Sequence, residues 1–264
     1  MFLIIATVFF LSHKNLYPSN KIFSPIYFVF FIAMTAGVGE MFGHLTKIIA
    51  LATCVVIVLF GFDSLLKLNK LIMYFVLTTL FIVCIAGFEQ SPQPQQGMNL
   101  SQSLFFALLY AGMNCGTLFP IMKKAQERLR TGTIIASIIV ACAMLSFLVW
   151  IILNATQRHS ESSMPVLALS QNFFVTIAVF LSIFTSMLIS LFNLDTSIAT
   201  PKRPLKLGVL CLMAFTLSLF GFTKIISFVY PIMGLVIIFY LCASVAHYFW
   251  KQIRLRQSHH PRAQ

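Results

Sequence analysis

Eight long apolar segments are the feature that most constrains the fold of this chain. A helix needs roughly 20 mostly apolar residues to cross the hydrocarbon core of a bilayer. A ninth apolar run, residues 1–12, is only about half that length and lacks the basic start and small-residue cleavage site of a signal peptide. The sequence therefore predicts an all-α polytopic membrane protein with about eight full transmembrane helices and a partial one. The eight predicted spans are residues 23–42, 46–62, 71–88, 102–122, 132–154, 171–194, 206–221 and 225–250.

The composition agrees with a membrane location, since the 264 residues are 59% hydrophobic and only 9% charged. A soluble domain carries about 25% charged residues. The net charge of +12 is carried by short basic clusters between the apolar segments, and not by one patch or stripe. We therefore expect the lipid bilayer as a partner and exclude nucleic acid.

The basic residues indicate how the helices are oriented, because short cytoplasmic loops retain Lys and Arg. If the connections alternate between two sides, one side holds 15 of these residues and the other holds three, Lys47, Arg158 and Lys224. If one helix had been missed, the basic residues would be divided more evenly between the two sides. The pattern predicts that the larger group and the C-terminus lie in the cytoplasm. The larger group is Lys14, Lys21, Lys67, Lys70, Lys123, Lys124, Arg128, Arg130, Lys202, Arg203, Lys206, Lys251, Arg254, Arg256 and Arg262.

Nothing in the sequence points to an enzyme. The chain contains no Walker loop and no GxGxxG, HExxH or GxSxG motif. The predicted external loop, residues 89–101, is a Pro/Gln-rich connector without a catalytic cluster. All six cysteines fall inside predicted spans, where they favour packing over a disulfide or zinc framework. We expect no catalytic residues, no metal site and no cofactor.

The segment 102–122 contains an unusual density of helix breakers and polar residues for a transmembrane span. Gly112, Asn114 and Gly116 weaken its helical ladder, and Pro120 follows them. Secondary transporters bind solutes and ions at such interruptions. The pattern predicts a broken helix in which Tyr110, Gly112, Asn114 and Gly116 bind substrate. The alternative is a Pro-kinked helix with close glycine packing.

Adjacent hydroxyls in the segment 171–194 form a second candidate site. Thr185 and Ser186 lie in the middle of the span, and Ser182, Ser186 and Ser190 recur on one helix face. Hydroxyl oxygens are hard ligands, so Thr185 and Ser186 are candidates for binding a cation such as Na⁺. The alternative is that each hydroxyl bonds a carbonyl of its own helix.

Glu40, near the end of the first predicted full span, is a candidate proton or cation site. A carboxylate inside the membrane is energetically costly, so such residues are rare outside functional sites. The alternative is a carboxylate that only anchors the helix in the wet interface. Farther along the chain, Gly221 is predicted to form a tight turn and Pro231 to kink the last helix.

Several short stretches, in order along nearly the whole chain, resemble the YkvI family of bacterial membrane proteins. This family belongs to the amino acid, polyamine and organocation superfamily, which shares the LeuT-like fold. Each stretch is only moderately specific, so the order and spacing carry most of the weight. The matching stretches are residues 34–40, 60–69, 109–114, 164–165 with 184–186, and 225–234.

The resemblance implies ten helices in two inverted five-helix repeats, with the first helix of each repeat broken around a central site. Residues 1–88 would be an incomplete first repeat, residues 89–101 an external loop, residues 102–250 the second repeat, and residues 251–264 a basic cytoplasmic tail. Relative to the family, the chain is expected to lack the Gly-rich first helix and part of the second. The predicted fold is thus an N-terminally truncated LeuT-like helix bundle.

The resemblance also implies a function and a location. It implies a cation-coupled secondary transporter of an amino acid or amine in the bacterial inner membrane, with Na⁺ or H⁺ as the coupling ion. Thr185 and Ser186 match the sodium-site position of the family, and residues 110–116 match its unwound helix. A hard cation needs roughly six oxygen ligands, so binding is expected to be weak without a first helix. The alternative is a non-transporting or degenerate membrane protein of the same fold.

Overall fold

The structure is a computed structural model that describes residues 20–87, 172–198 and 202–258, with isolated positions at 101, 104, 105, 108, 109, 139, 143 and 146. Most of these residues are helical, and no strand occurs among them. The helices are α1 (Asn20–Phe60), α2 (Phe62–Gly87), α3 (Phe173–Ser197), α4 (Arg203–Leu217), a 3₁₀ turn (Ser218–Phe220) and α5 (Phe222–Ser258).

Four stretches within the described ranges are long and apolar enough to cross a membrane. They are Phe23–Phe60, Phe173–Ser197, Arg203–Phe220 and Phe222–His247. The all-α class with transmembrane-type helices is therefore confirmed. The predicted total of eight full helices and a partial one is not seen in the described ranges, and neither is a LeuT-like arrangement. Two predicted spans, 102–122 and 132–154, lie outside those ranges except for isolated positions.

The predicted spans 23–42 and 46–62 correspond to the two parts of α1, which Gly43 interrupts and which ends at Phe60, before Gly61 at φ 93°. Gly43 has φ 82° and ψ −175°, so its backbone is not helical although both flanking segments are. A side chain at positive φ meets a steric penalty that glycine avoids. Where the sequence predicts a short connection between two spans, the structure has one non-helical residue, Gly43.

Two helices continue past the apolar segments that were predicted to span the membrane. Helix α2 begins at Phe62 and not at residue 71, so the predicted connection containing Lys67 and Lys70 is helical. Helix α5 continues to Ser258, into the predicted basic tail. Leu, Lys and Arg are good helix formers, so a helix need not end where the apolar run ends.

Helix α3 packs mainly against α1, and also contacts α2. Phe31 and Met187 are buried where α1 meets α3, and the Thr35 hydroxyl lies 3.5 Å from the Met187 sulfur. In contrast, large apolar side chains such as Leu45 and Phe239 are 72% and 78% exposed. Apolar surface of this extent suits contact with lipid, since lipid chains impose no penalty on it.

A network of charged side chains holds the connection between α3 and α4. The Asp195 carboxylate, 6% exposed, accepts a hydrogen bond from Arg203 Nε at 2.7 Å, and Arg203 Nη2 lies 2.7 Å from the same oxygen. Lys206 Nζ lies 2.6 Å from the other carboxylate oxygen, as an ion pair outside hydrogen-bond geometry. It also donates to the carbonyls of Asp195 and Ile198, each at 2.8 Å. The network therefore pairs Asp195 with both Arg203 and Lys206.

Contacts at both ends show that the second part of α1 runs antiparallel to α4. At one end, Arg203 Nη2 donates to the Val58 carbonyl at 2.8 Å. At the other end, Lys47 Nζ donates to Ser218 Oγ at 2.9 Å. Gly61 and the start of α4 at Arg203 thus lie at one end of this helix pair. The break at Gly43 and the turn at Gly221 lie at the other.

Candidate functional site

A cavity of about 390 Å³ lies between the break in α1 and the junction of α4 with α5. One wall is formed by residues 36–47 of α1, and the opposite wall by residues 218–224. Ligand pockets typically measure about 300–1,000 Å³, so the space suits a small molecule. The cavity is therefore the candidate functional site in the described part of the chain.

Glycines at positive φ shape both walls of the cavity. Gly43 interrupts α1 at φ 82°, and Gly221 separates the 3₁₀ turn from α5 at φ 91°. The Gly221 N–H donates to the Ser218 carbonyl at 3.3 Å and so closes the turn that the sequence predicts there. The cavity thus lies where two helical segments are interrupted.

Lys47 is the buried charge of the cavity, with only 3% of its surface exposed. Its Nζ donates to Ser218 Oγ at 2.9 Å, and Ser218 Oγ in turn donates to the Phe215 carbonyl at 2.7 Å. The same nitrogen lies 5.4 Å from the centroid of the Phe215 ring, within the range of a cation–π interaction. These contacts hold the ammonium group against the α4 wall.

A glycine on α1 makes room for the Lys47 side chain. A methyl group at Gly39 would overlap Lys47 Cε and lie 2.7 Å from Nζ. The lysine stem therefore crosses the face of α1 at Gly39, where no side chain obstructs it. This local packing explains how a long charged side chain can be buried at the cavity wall.

Three exposed titratable residues, Glu40, His44 and Lys224, also line the cavity. The cavity is thus connected to the surface and carries both signs of charge. Glu40, which the sequence singled out as a proton or cation site, lies in its wall just before the break at Gly43. Its predicted role as an ion site, and the alternative of an interfacial anchor, both stay predictions.

The hydroxyls predicted to bind a cation bond to their own helix. Thr185 Oγ1 and Ser186 Oγ both donate to the Ser182 carbonyl, at 3.0 and 2.9 Å. Ser190 Oγ donates to the Ser186 carbonyl at 2.8 Å. This is the arrangement that the sequence suggested as the alternative to a cation site. The hydroxyl oxygens keep lone pairs, so cation binding by Thr185 and Ser186 stays a prediction.

The four residues predicted to bind substrate, Tyr110, Gly112, Asn114 and Gly116, lie outside the described residues. Their neighbour Leu109 is described and buried, and its backbone is close to Gly234 of α5. The chain immediately before the predicted break therefore lies against the last helix.

Sequence reasoning missed Lys47 and Ser218 as members of a site. Lys47 entered the topology count only as one of three basic residues on the less positive side. The signal that could have identified it is its position, four residues after Gly43 between apolar segments. A cation beside a helix break in an apolar region marks a candidate ligand site. No local pattern distinguishes Ser218 from the other serines.

No family model matches the chain, and no curated protein and no solved structure matches it significantly. The resemblance to the YkvI family therefore stays a prediction that rests on the order and spacing of its short stretches.

Proposed function

We propose that this chain is a cation-coupled secondary transporter of a small organic solute, of the amino acid or amine class, in the bacterial inner membrane. The proposal includes a LeuT-like fold, and Na⁺ or H⁺ as the coupling ion. The observation that carries it is the charged cavity between two interrupted helices. Charged side chains inside membrane-type helices mark solute and ion pathways, and interrupted helices supply the ligands of transporter sites.

The position of the cavity supports alternating access. Its α1 wall belongs to residues 1–88, the first repeat in the proposed division, and its other wall belongs to residues 102–250, the second repeat. Transporters of this kind work by rocking one repeat against the other around a site at their interface. A cavity between the two repeats would open and close during such a movement.

One observation favours the second candidate function, a non-transporting membrane protein of the same fold. The Thr185 and Ser186 hydroxyls donate to the same carbonyl, that of Ser182. Coordination of a cation would use only their remaining lone pairs, and a hard cation needs roughly six oxygens. A chain without cation binding would have no coupling and would serve another role in the membrane.

Solute flux into proteoliposomes tests the proposal. Liposomes holding the protein, with and without the sequence encoded upstream of Met1, should accumulate amino acids or amines under an inward Na⁺ or H⁺ gradient. Thr185→Ala should reduce the Na⁺-driven rate by at least about tenfold, as expected when one ligand of a hard cation is lost. Thr176→Ala, on the same helix, is the matched control. The absence of uptake from every preparation under both gradients would support the non-transporting alternative.

The proposed orientation predicts which connections face the cytoplasm. Lys67 and Lys202 lie in segments at the same end of the bundle, near the contact of Arg203 with Val58, whereas Lys224 lies at the other end. In single-cysteine variants of a cysteine-free protein, an impermeant maleimide should label Lys224→Cys in intact cells. It should label Lys67→Cys and Lys202→Cys only after the membrane is permeabilised. The reverse pattern would overturn the orientation.

A further inference from the structure

We infer that the cavity binds a small organic solute through a single carboxylate, and that Lys47 is the counter-ion of this carboxylate. The inference rests on the proposed function, because it names the class of ligand that the proposed transport site would bind. It excludes a simple amine as the ligand that Lys47 recognises.

The first argument is the unmatched charge of Lys47. An ammonium group has three N–H donors, and Ser218 Oγ accepts one of them. Within the described part of the chain, no carboxylate forms an ion pair with Lys47. A buried ammonium without a counter-ion is costly, more so in a protein surrounded by lipid. A carboxylate in the cavity would accept the remaining N–H groups and neutralise the charge.

The second argument is the start of α5 in the opposite wall. Helix α5 begins at Phe222, and the Ile225 N–H donates to the Gly221 carbonyl in its first turn. The N–H groups of residues 222–224 therefore have no acceptor within the helix. All three residues line the cavity. The partial positive charge of a helix N-terminus favours an anion.

The third argument is the role of Ser218, which positions Lys47 and offers no donor of its own. The Ser218 hydroxyl already donates to the Phe215 carbonyl, so its oxygen acts as an acceptor towards Lys47. Lys47 Nζ and the N–H groups of residues 222–224 are thus the donors that this wall offers. They suit an acceptor such as a carboxylate better than an alkylammonium ion.

Charge and polarity select among anions. Lys47 is the buried ammonium among the described residues that line the cavity, and it matches one negative charge. The apolar residues Ala36, Leu219 and Phe222 supply walls for a short carbon chain. A monocarboxylate fits these conditions better than phosphate or chloride, because the latter two are small inorganic ions that gain nothing from apolar contact.

Isothermal titration of the complete protein in detergent tests the inference without any gradient. Propanoate should bind saturably, whereas propylamine, inorganic phosphate and chloride should bind at least about tenfold more weakly. Lys47→Gln should weaken propanoate binding at least about tenfold, as expected for loss of a charge-assisted hydrogen bond. The control Lys70→Gln removes an exposed lysine on α2 and should leave binding unchanged.

The comparison of the four probes uses the wild-type protein, so it tests the inference even if a variant does not fold. Tighter binding of propylamine, phosphate or chloride than of propanoate would overturn the inference, as would no binding by any probe. Wild-type affinity in folded Lys47→Gln would overturn it as well. Failure of propanoate binding together with uptake of another solute would leave the proposed function standing. Saturable propanoate binding without any uptake would leave the inference standing and contradict transport.

Discussion

Replacement of Asp195 by alanine is expected to lower the free energy of unfolding by about 3–5 kcal/mol, the cost of breaking a buried ion pair from one side. Asp195 is 6% exposed and pairs with Lys206, which is 9% exposed. Without the carboxylate, the Lys206 ammonium would remain buried with only carbonyl partners. Arg203 is 41% exposed and can turn to water, so most of the loss should come from Lys206.

The measurement is equilibrium unfolding in mixed detergent micelles, followed by circular dichroism. Lys202→Ala, which removes an exposed charge just before α4, is the matched control and should cost less than about 1 kcal/mol. Equal losses for the two variants would contradict the assignment of the Asp195 network as a structural clamp. If Asp195→Ala weakened propanoate binding and left the free energy of unfolding unchanged, Asp195 would instead belong to a ligand site.

Replacement of Gly234 by alanine is the second change with a large expected effect, a loss of about 2–3 kcal/mol in the free energy of unfolding from overpacking. A Cβ at Gly234 would overlap the Leu109 carbonyl oxygen and lie 2.8 Å from its carbon and 3.0 Å from its Cα. These are backbone atoms, so no side-chain rotation can relieve the overlap. Small residues permit this kind of backbone approach between membrane helices.

Gly208→Ala is the control for the glycine substitution. Gly208 is also helical, but nothing lies within 4 Å of a Cβ built there. Alanine favours the helix by about 1 kcal/mol over glycine, so this variant should be neutral or stabilised. If both variants gained stability by similar amounts, the close approach of Leu109 to α5 would be contradicted. Unfolding in the same micelles, compared at one detergent composition, provides the measurement.

The helical class and the turn at Gly221 were accessible from the sequence because they depend on local chemistry. Apolar segments of roughly 20 residues must form helices to satisfy their backbone in lipid, and this requirement holds whatever their neighbours are. The break at Gly43 falls between two predicted spans, and the turn at Gly221 was predicted where it occurs. The alternation of basic connections likewise grouped Lys47 with Lys224, and both line one cavity.

Helix boundaries were less accessible, because hydropathy reports the lipid boundary and not the end of the backbone hydrogen bonds. The segment with Lys67 and Lys70 is polar enough to be read as a loop, yet it continues as helix α2. Its buried Leu65 anchors this first turn against the rest of the bundle. Neither the helical continuation nor the burial of Leu65 can be predicted from the mean hydropathy of a sequence segment.

The sequence by itself determined that this protein contains long apolar helices and that Gly221 forms a turn between two of them, since these properties depend on residues near one another in the chain. Only the tertiary structure decided that Lys47 is buried against Ser218, 171 residues later, and that Arg203 reaches the Val58 carbonyl, 145 residues earlier. Such contacts depend on which helices pack together and in what rotation. A charge in a connection looks the same in the sequence whether it faces water or a cavity wall, because its burial is set by the partner helix.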